Sequence, residues 1–424
     1  MKMKTINLGL IICLFLGAIP HGSQGQDKTS WDSVLVLFPG ENTVSISSAI
    51  TAFSIESDHL EDFTFRLGVE KEADFHNDIH IQNRNIANVI HRDKPFQTIT
   101  FFVHSERKTS LRLLCFDGRY PSSLWKRINH GDLRHKKAAC DKPEIVPQSL
   151  WRDGLPDPKP NPRSTNVAHL IIHHSATSNE VTDYLLAVRN IYLYHLETNG
   201  WDDVGYNFLL APTGQIFAGR DGQGLEGDDV QGAHFCGKNS GTMGLCLLGN
   251  YSLVPPRDSM LTALANLLAW KLEKDKLQPL EDHFHPIGSS TGFLLPTICG
   301  HRDGYKPGVF SGCQTECPGD LMYPLIDTVT RRVVRNLLAC NYPVSTLDKK
   351  EISNEHPILY TANSNEYIST QSGAAEIINL EGKVLWTGRL LENNKIPWTP
   401  TLQGVYILRL KSAHGTFTQQ LLFR

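Results

Sequence analysis

Three groups in this chain have the chemistry to hold a transition metal together: two histidine imidazoles and a cysteine thiolate. A hydrolytic zinc site needs three such ligands and one open position for water. The candidates are His173, closing the apolar run Val167 to His173; His301, in Cys299-Gly300-His301-Arg302-Asp303; and Cys317, in Thr315-Glu316-Cys317-Pro318-Gly319. Spacing alone is weak support, because 127 residues lie between the two histidines. By spacing, the set ranks no higher than structural histidines and a disulfide cysteine.

Those residues need elements to position them. Val167 to His173 reads as a buried strand, which would place His173 at its C-terminal end. Glu180 to Leu196 carries apolar or ring side chains at Val181, Tyr184, Leu185, Val188, Tyr192 and His195, a helical spacing. Tyr206 to Ala211 and Gln215 to Ala218 predict a hairpin around Thr213-Gly214. Met243 to Leu248 predicts a second buried strand. Leu261, Leu264, Leu267, Leu268 and Leu272 mark a second helix, and Leu321 to Leu338 a third, with Asp320 as its N-cap. This order predicts a mixed sheet with flanking helices.

The rest of the chain sets the context. At about 150 residues per domain, 424 residues suggest roughly three domains. Lys plus Arg is 41 against 44 Asp plus Glu, a net charge of -3, which argues against a nucleic-acid binder. Lys2 and Lys4, the apolar run Leu8 to Ala18 and the small residues before Gln26 read as an export signal over residues 1–25, too short to span a membrane. Removing it takes Cys13 away and leaves eight of the nine cysteines in a setting that permits disulfides. Cys115 with Cys140 is a plausible bridge, and Cys246, in an apolar strand, is the choice for an unpaired thiol. No later segment reads as transmembrane.

Residues 26–142 read as an all-β, sandwich-like domain of unknown role, from short β-branched runs separated by turns. Its residues 102–142 hold ten Lys or Arg against four Asp or Glu. A solvated domain edge explains this better than attraction to an anionic polymer. Residues 143–166 are proline-rich and predict an extended connector. Residues 167–340 form the α/β domain. Residues 345–424 predict a small β-sandwich from six further strand-like runs. The expected architecture is multidomain, a central α/β domain between two β domains.

The motifs around the candidates are more specific than their spacing. Ile171-Ile172-His173-His174-Ser175, Trp201-Asp202-Asp203-Val204-Gly205-Tyr206-Asn207-Phe208, Gly214-Gln215-Ile216-Phe217-Ala218-Gly219-Arg220, Gly232-Ala233-His234, Asn239 to Asn250, Gly300-His301-Arg302-Asp303 and Glu316-Cys317-Pro318-Gly319 follow in order. Together they resemble peptidoglycan recognition proteins and phage lysozyme-type amidases over residues 148–338. The resemblance implies a zinc-dependent N-acetylmuramoyl-L-alanine amidase. Such an enzyme cuts the amide between N-acetylmuramic acid and L-alanine of peptidoglycan.

It implies one zinc per chain on His173, His301 and Cys317, and Tyr206 as catalytic residue. One branch of the family has a lysine two residues before the ligand cysteine. Here that position is Thr315, which leaves a hydroxyl donor as a second catalytic candidate. His234, Arg220 and His174 are the candidates for contacting substrate, with structural roles open for all three. Animal recognition proteins usually carry a close cysteine pair after the first motif, and this chain lacks it.

Two alternatives to the amidase are a recognition module that binds peptidoglycan without cutting it, and a zinc amidohydrolase acting on another acylated peptide. The presence of all four residues favours catalysis. Residues 350–424 look like the C-terminal sorting domain of type IX secretion. That implies a bacterium of the Bacteroidetes group, the type IX machinery as partner, and release or attachment at the outer cell surface. A monomer binding a muropeptide substrate, with no nucleic acid, is the expectation.

Overall fold

The computed structural model describes residues 11–12, 29–75, 85–129, 140–286, 292–305, 314–344, 358–361, 366–369, 372–379, 383–391, 395–398, 404–412 and 415–423. Apart from Ile11 and Ile12, the expected export signal lies outside them. The chain divides into two compact units, Met1–Val344 and Ser345–Arg424. No helix among the described residues is long and apolar enough to cross a membrane.

The first sheet is built from β2 (Ser30–Leu37), β3 (Gly40–Glu56), β4 (Phe63–Arg66), β5 (Ala73–Asp74), β6 (Ile90–Val103) and β7 (Thr109–Phe116), with the short β1 (Ile11–Ile12) beside β3. Its order is β2-β7-β3-β6-β4-β5. The expected sandwich of two facing sheets is replaced, among the described residues, by one sheet. Register shifts between Ser45, Ile50 and Ala52 interrupt the long β3, which pairs with β6 between Gly40 and Phe53 and with β7 from Ala52 to Glu56. Such irregularities increase local bend and twist. One face buries Phe53, Phe63, Phe101, Leu111 and Leu113. The other face of β3 and β7 buries Ala52, Leu114 and Phe116 against α3 (Tyr184–Leu193). The segment is also not all-β, since α1 (Ser122–Asn129) follows β7.

The central sheet is mixed, as the pattern of strands and helices predicts. It comprises β8 (Ile145–Val146), β9 (His169–His174), β10 (Phe208–Leu210), β11 (Ile216–Ala218), β12 (Thr242–Leu247) and β15 (Ile298–Gly300), in the order β15-β9-β12-β10-β11-β8. β15, β9, β12 and β10 run parallel, and β11 is antiparallel to β10. A side hairpin joins β13 (Asp282–His285) and β14 (Phe293–Pro296). Alternation along each strand assigns its side chains to opposite faces. Leu170, Ile172, Met243, Leu245 and Leu247 pack under α4 (Asp258–Asp275) and α5 (Ile326–Ala339). Leu209, Phe217 and Cys246 pack on the α3 side.

The expected Asp320 cap is not at a helix start. Tyr323–Leu325 forms a 3-10 turn containing Pro324, α5 begins at Ile326, and Asp320 pairs with Arg302 at 2.9 Å. The proline-rich stretch is not a free tether: it holds β8 and α2 (Gln148–Trp151). Buried Arg189 on α3 ties it down. Its guanidinium donates to the carbonyls of Gly118 (2.7 Å), Arg119 (3.1 Å), Trp151 (2.6 Å) and Asp153 (2.9 Å). Four acceptors offset the burial of a charge that would otherwise be costly.

Cys140 bridges to Cys340 rather than to Cys115, which lies buried in the first sheet. The two cysteines of the bridge are 200 residues apart, a partnership that chain spacing does not suggest. Cys236 is also disulfide-bonded, and Cys246 keeps its thiol, as expected.

The second unit holds a two-stranded pair, β16 (Ile358–Thr361) and β17 (Glu366–Ser369), and a four-stranded sheet in the order β19-β18-β20-β21. Its strands are β18 (Gly373–Ile378), β19 (Val384–Leu390), β20 (Gly404–Ser412) and β21 (Gly415–Phe423). Ile377, Leu390, Leu408 and Leu410 form its core.

Candidate metal centre

His173 and His301 are brought together by strand order. β9 and β15 are parallel neighbours with Ile172 opposite Gly300, so the residues that follow emerge side by side at the C-terminal ends. That edge of an open α/β sheet is where ligands generally bind. The turn after β15 is pinned by Asp303, which accepts the Gly300 backbone N–H at 2.8 Å and the Tyr323 hydroxyl at 2.6 Å. Arg302 lies over the Tyr323 ring, 4.6 Å from its centre.

Cys317 arrives from a distant loop. Its carbonyl accepts the Arg302 backbone N–H at 2.9 Å, and its Sγ receives the His174 backbone N–H at 3.4 Å. Thr315 Oγ1 accepts the Cys317 backbone N–H at 3.0 Å. Thr315 therefore shapes the cysteine turn.

One ligand atom from each of His173, His301 and Cys317 falls within 4.8 Å of the others, and all three residues are buried. Cys317 Sγ lies 3.7 Å from His173 Nδ1. Two imidazoles and a sulfur are the borderline-soft donor set that suits zinc, and three ligands leave a fourth position. Burial pushes the Cys317 thiol up to about 12, so a bound cation is what would make it a thiolate at neutral pH.

Tyr206 is buried beside the set, its ring centre 5.3 Å from that of His173. Its hydroxyl is within hydrogen-bonding reach of Cys246, which faces His173 across β9 and β12. A π-turn at Tyr194–Thr198 turns His195 inward, where Nδ1 accepts the Gly205 N–H at 3.1 Å and so holds the segment leading to Tyr206. Such turns are frequent at functional sites.

The three expected substrate contacts are placed differently. His234 is 1% exposed and packs under His173 rather than lining a cleft. Arg220 Nε donates to the Val204 carbonyl at 3.1 Å, and burial lowers its pKa despite the nearby Asp203 carboxylate. His174 is partly exposed, and its Nδ1 accepts the Tyr251 backbone N–H at 3.1 Å.

Asn207, Asn239 and Asp303 also support the site, and each lies in one of the sequence motifs around it. Asn207 Oδ1 accepts the Gly244 N–H at 2.9 Å while Nδ2 donates to the Val230 carbonyl at 2.7 Å. Their positions inside the motifs were the available signal.

Fold and donor set together define an α/β domain with a site competent for one metal ion. Residues 163–320 match the family described as N-acetylmuramoyl-L-alanine amidase. Peptidoglycan-recognition protein SC2 of Drosophila simulans is 30% identical over 186 residues, 43% of this chain and 85% of the relative. Peptidoglycan recognition protein 1 of Bos taurus is 31% identical over 195 residues, 45% of this chain and 85% of the relative. The N-acetylmuramoyl-L-alanine amidase of Sus scrofa is 28% identical over 220 residues, half of this chain but 32% of the pig protein's length. Among solved structures, Drosophila PGRP-LB matches at 27% identity and a TM-score of 0.33, covering 44% of this chain and 93% of its own. The chain belongs to the family of N-acetylmuramoyl-L-alanine amidases and peptidoglycan recognition proteins.

Proposed function

We propose that this chain is a zinc-dependent N-acetylmuramoyl-L-alanine amidase with one zinc per chain on His173, His301 and Cys317. The observation that carries the reading is the convergence of those three buried donors beside Tyr206. When bound, zinc supplies Lewis acidity, bringing the pKa of water towards about 7 and polarising a carbonyl. The Tyr206 hydroxyl donates a hydrogen bond to the substrate carbonyl oxygen as negative charge builds on it, or orients the attacking water. Buried walls around the hydroxyl keep that bond strong, because competing solvent is excluded. Thr315 contributes by holding the Cys317 turn.

Relatives named as recognition proteins keep a binding-only role in view. The deciding experiment is hydrolysis of purified peptidoglycan by metal-depleted and zinc-restored protein, with mass spectrometry of the products. Zinc-dependent release of stem peptides beginning with L-alanine supports the enzyme. Binding without release in both states overturns it in favour of recognition.

For residues 345–424 the proposal is type IX sorting of an exported protein, released or held at the outer cell surface. Its support is the sequence resemblance and the separate compact unit these residues form. Deletion of 345–424 should leave hydrolysis intact and retain the protein in the cell envelope. Normal export of the truncated chain overturns the sorting role.

A further inference from the structure

We propose that His234 is a positioning residue that selects which nitrogen of His173 is offered to the metal. The inference rests on the zinc reading above. His234 Nδ1 lies 3.0 Å from His173 Nε2, with the two rings edge to face at 82°. On its far side, His234 Nε2 lies 3.4 Å from Thr242 Oγ1, and that hydroxyl donates to the Asn239 carbonyl at 2.8 Å.

A carbonyl oxygen can only accept, so it orders every proton along the chain. The Thr242 hydrogen goes to Asn239, and the Thr242 oxygen accepts from His234 Nε2–H. Neutral His234 then presents a lone pair at Nδ1, which accepts His173 Nε2–H. The remaining lone pair of His173 is at Nδ1, the nitrogen 3.7 Å from Cys317 Sγ. Two neutral rings satisfy all these contacts in this one arrangement.

The ring of His234 is held as firmly as its protons. Asn239 Oδ1 accepts the backbone N–H of both His234 and Phe235 at 2.8 Å. A Cβ on Gly244 would lie 2.5 Å from His234 Cδ2, and one on Gly232 would lie 2.9 Å from its Nε2. Both glycines leave room for the ring and for nothing more. Asn239 thus anchors the arrangement twice, through its side chain and its carbonyl. His301 is oriented differently, with Nε2 3.4 Å from Cys236 Sγ, a weak acceptor.

The test measures zinc affinity of the full-length protein by competition with a chromophoric chelator, alongside the visible spectrum of the cobalt-substituted form. His234→Leu should weaken zinc about 10-fold to 100-fold, the usual cost of removing a hydrogen-bond partner of a metal-ligating histidine. It should also shift the cobalt bands. His234→Asn, whose Oδ1 can still accept from His173, should recover most of the affinity. Thr242→Val keeps shape and fold and should cost about 3-fold to 10-fold, the worth of one ordinary hydrogen bond.

Wild-type affinity in His234→Leu overturns the inference, as does equal loss in the Asn and Leu variants, which would mark a packing effect. If the wild type itself binds no zinc, the metal reading falls and this inference falls with it. A zinc-binding wild type with an unaffected His234→Leu sinks the positioning role alone.

Discussion

Among the described residues of the first unit, two clusters bring three metal-type donors within 4.8 Å: His173, His301 and Cys317, and Asp228, Asp229 and Asp275. They are resolved in opposite ways. Lys271, fully buried, places Nζ 2.6 Å from Asp228, 2.5 Å from Asp229 and 2.7 Å from Asp275. Lys274 adds contacts of 2.8 and 3.0 Å to Asp228 and Asp229. Burial opposes the Lys271 charge, but the three carboxylates outweigh it and raise its pKa. The ammoniums take the place an ion would have.

Imidazole and thiol groups can be neutral when buried, whereas three carboxylates cannot shed their charge so cheaply. The acidic set therefore carries its own cations, and the nitrogen and sulfur set is left suited to a soft one. Proximity of donors alone does not make a metal site. The charge that accompanies them decides.

The sharpest way to break this contrast is Cys317→Ser. Zinc should be lost, and peptidoglycan hydrolysis should fall about 1,000-fold or more, given the several kcal/mol a Lewis acid supplies. Elemental analysis together with a rate measurement checks it, and unchanged cleavage would mean the metal site is misassigned. Lys271→Met addresses the other cluster. It removes one of the two ammoniums paired with buried Asp228 and leaves Lys274, so it should cost less than the ~3–5 kcal/mol of a fully broken buried pair in urea unfolding, with zinc affinity of the folded protein unchanged. A loss of zinc there would show that the two clusters are coupled.

Tyr206→Phe should retain zinc and substrate binding but lower kcat about 100-fold to 1,000-fold, the usual cost of one donor to a developing oxyanion. A change confined to KM would assign the hydroxyl to binding. The smallest effect is expected from Thr315→Val, which removes the acceptor for the Cys317 N–H. Zinc affinity should drop by at most about tenfold. A much larger loss of kcat with full zinc would return Thr315 to a direct catalytic role.

Motif and period were enough to place several parts of this molecule. Alternating and helical patterns located β9, β12, α3 and α4, because burial of one face imposes its period on the chain. His173, His301 and Cys317 were legible because each lies in a short motif whose neighbours have local tasks. Asp303 pins the turn at His301, and Thr315 caps the Cys317 turn.

What tertiary structure alone decided is the partner of each polar group. His234 is in a motif that reads equally well as a cleft wall, and only the packing of β12 against β9 puts it beneath His173. Arg220 turned inward to a carbonyl, Cys140 found Cys340 across 200 residues, and the first sheet gained a second buried face against α3. Local patterning reports whether a side chain is buried. Which acceptor, ring or sulfur it meets depends on segments far away in the chain, and no period along the sequence encodes that meeting.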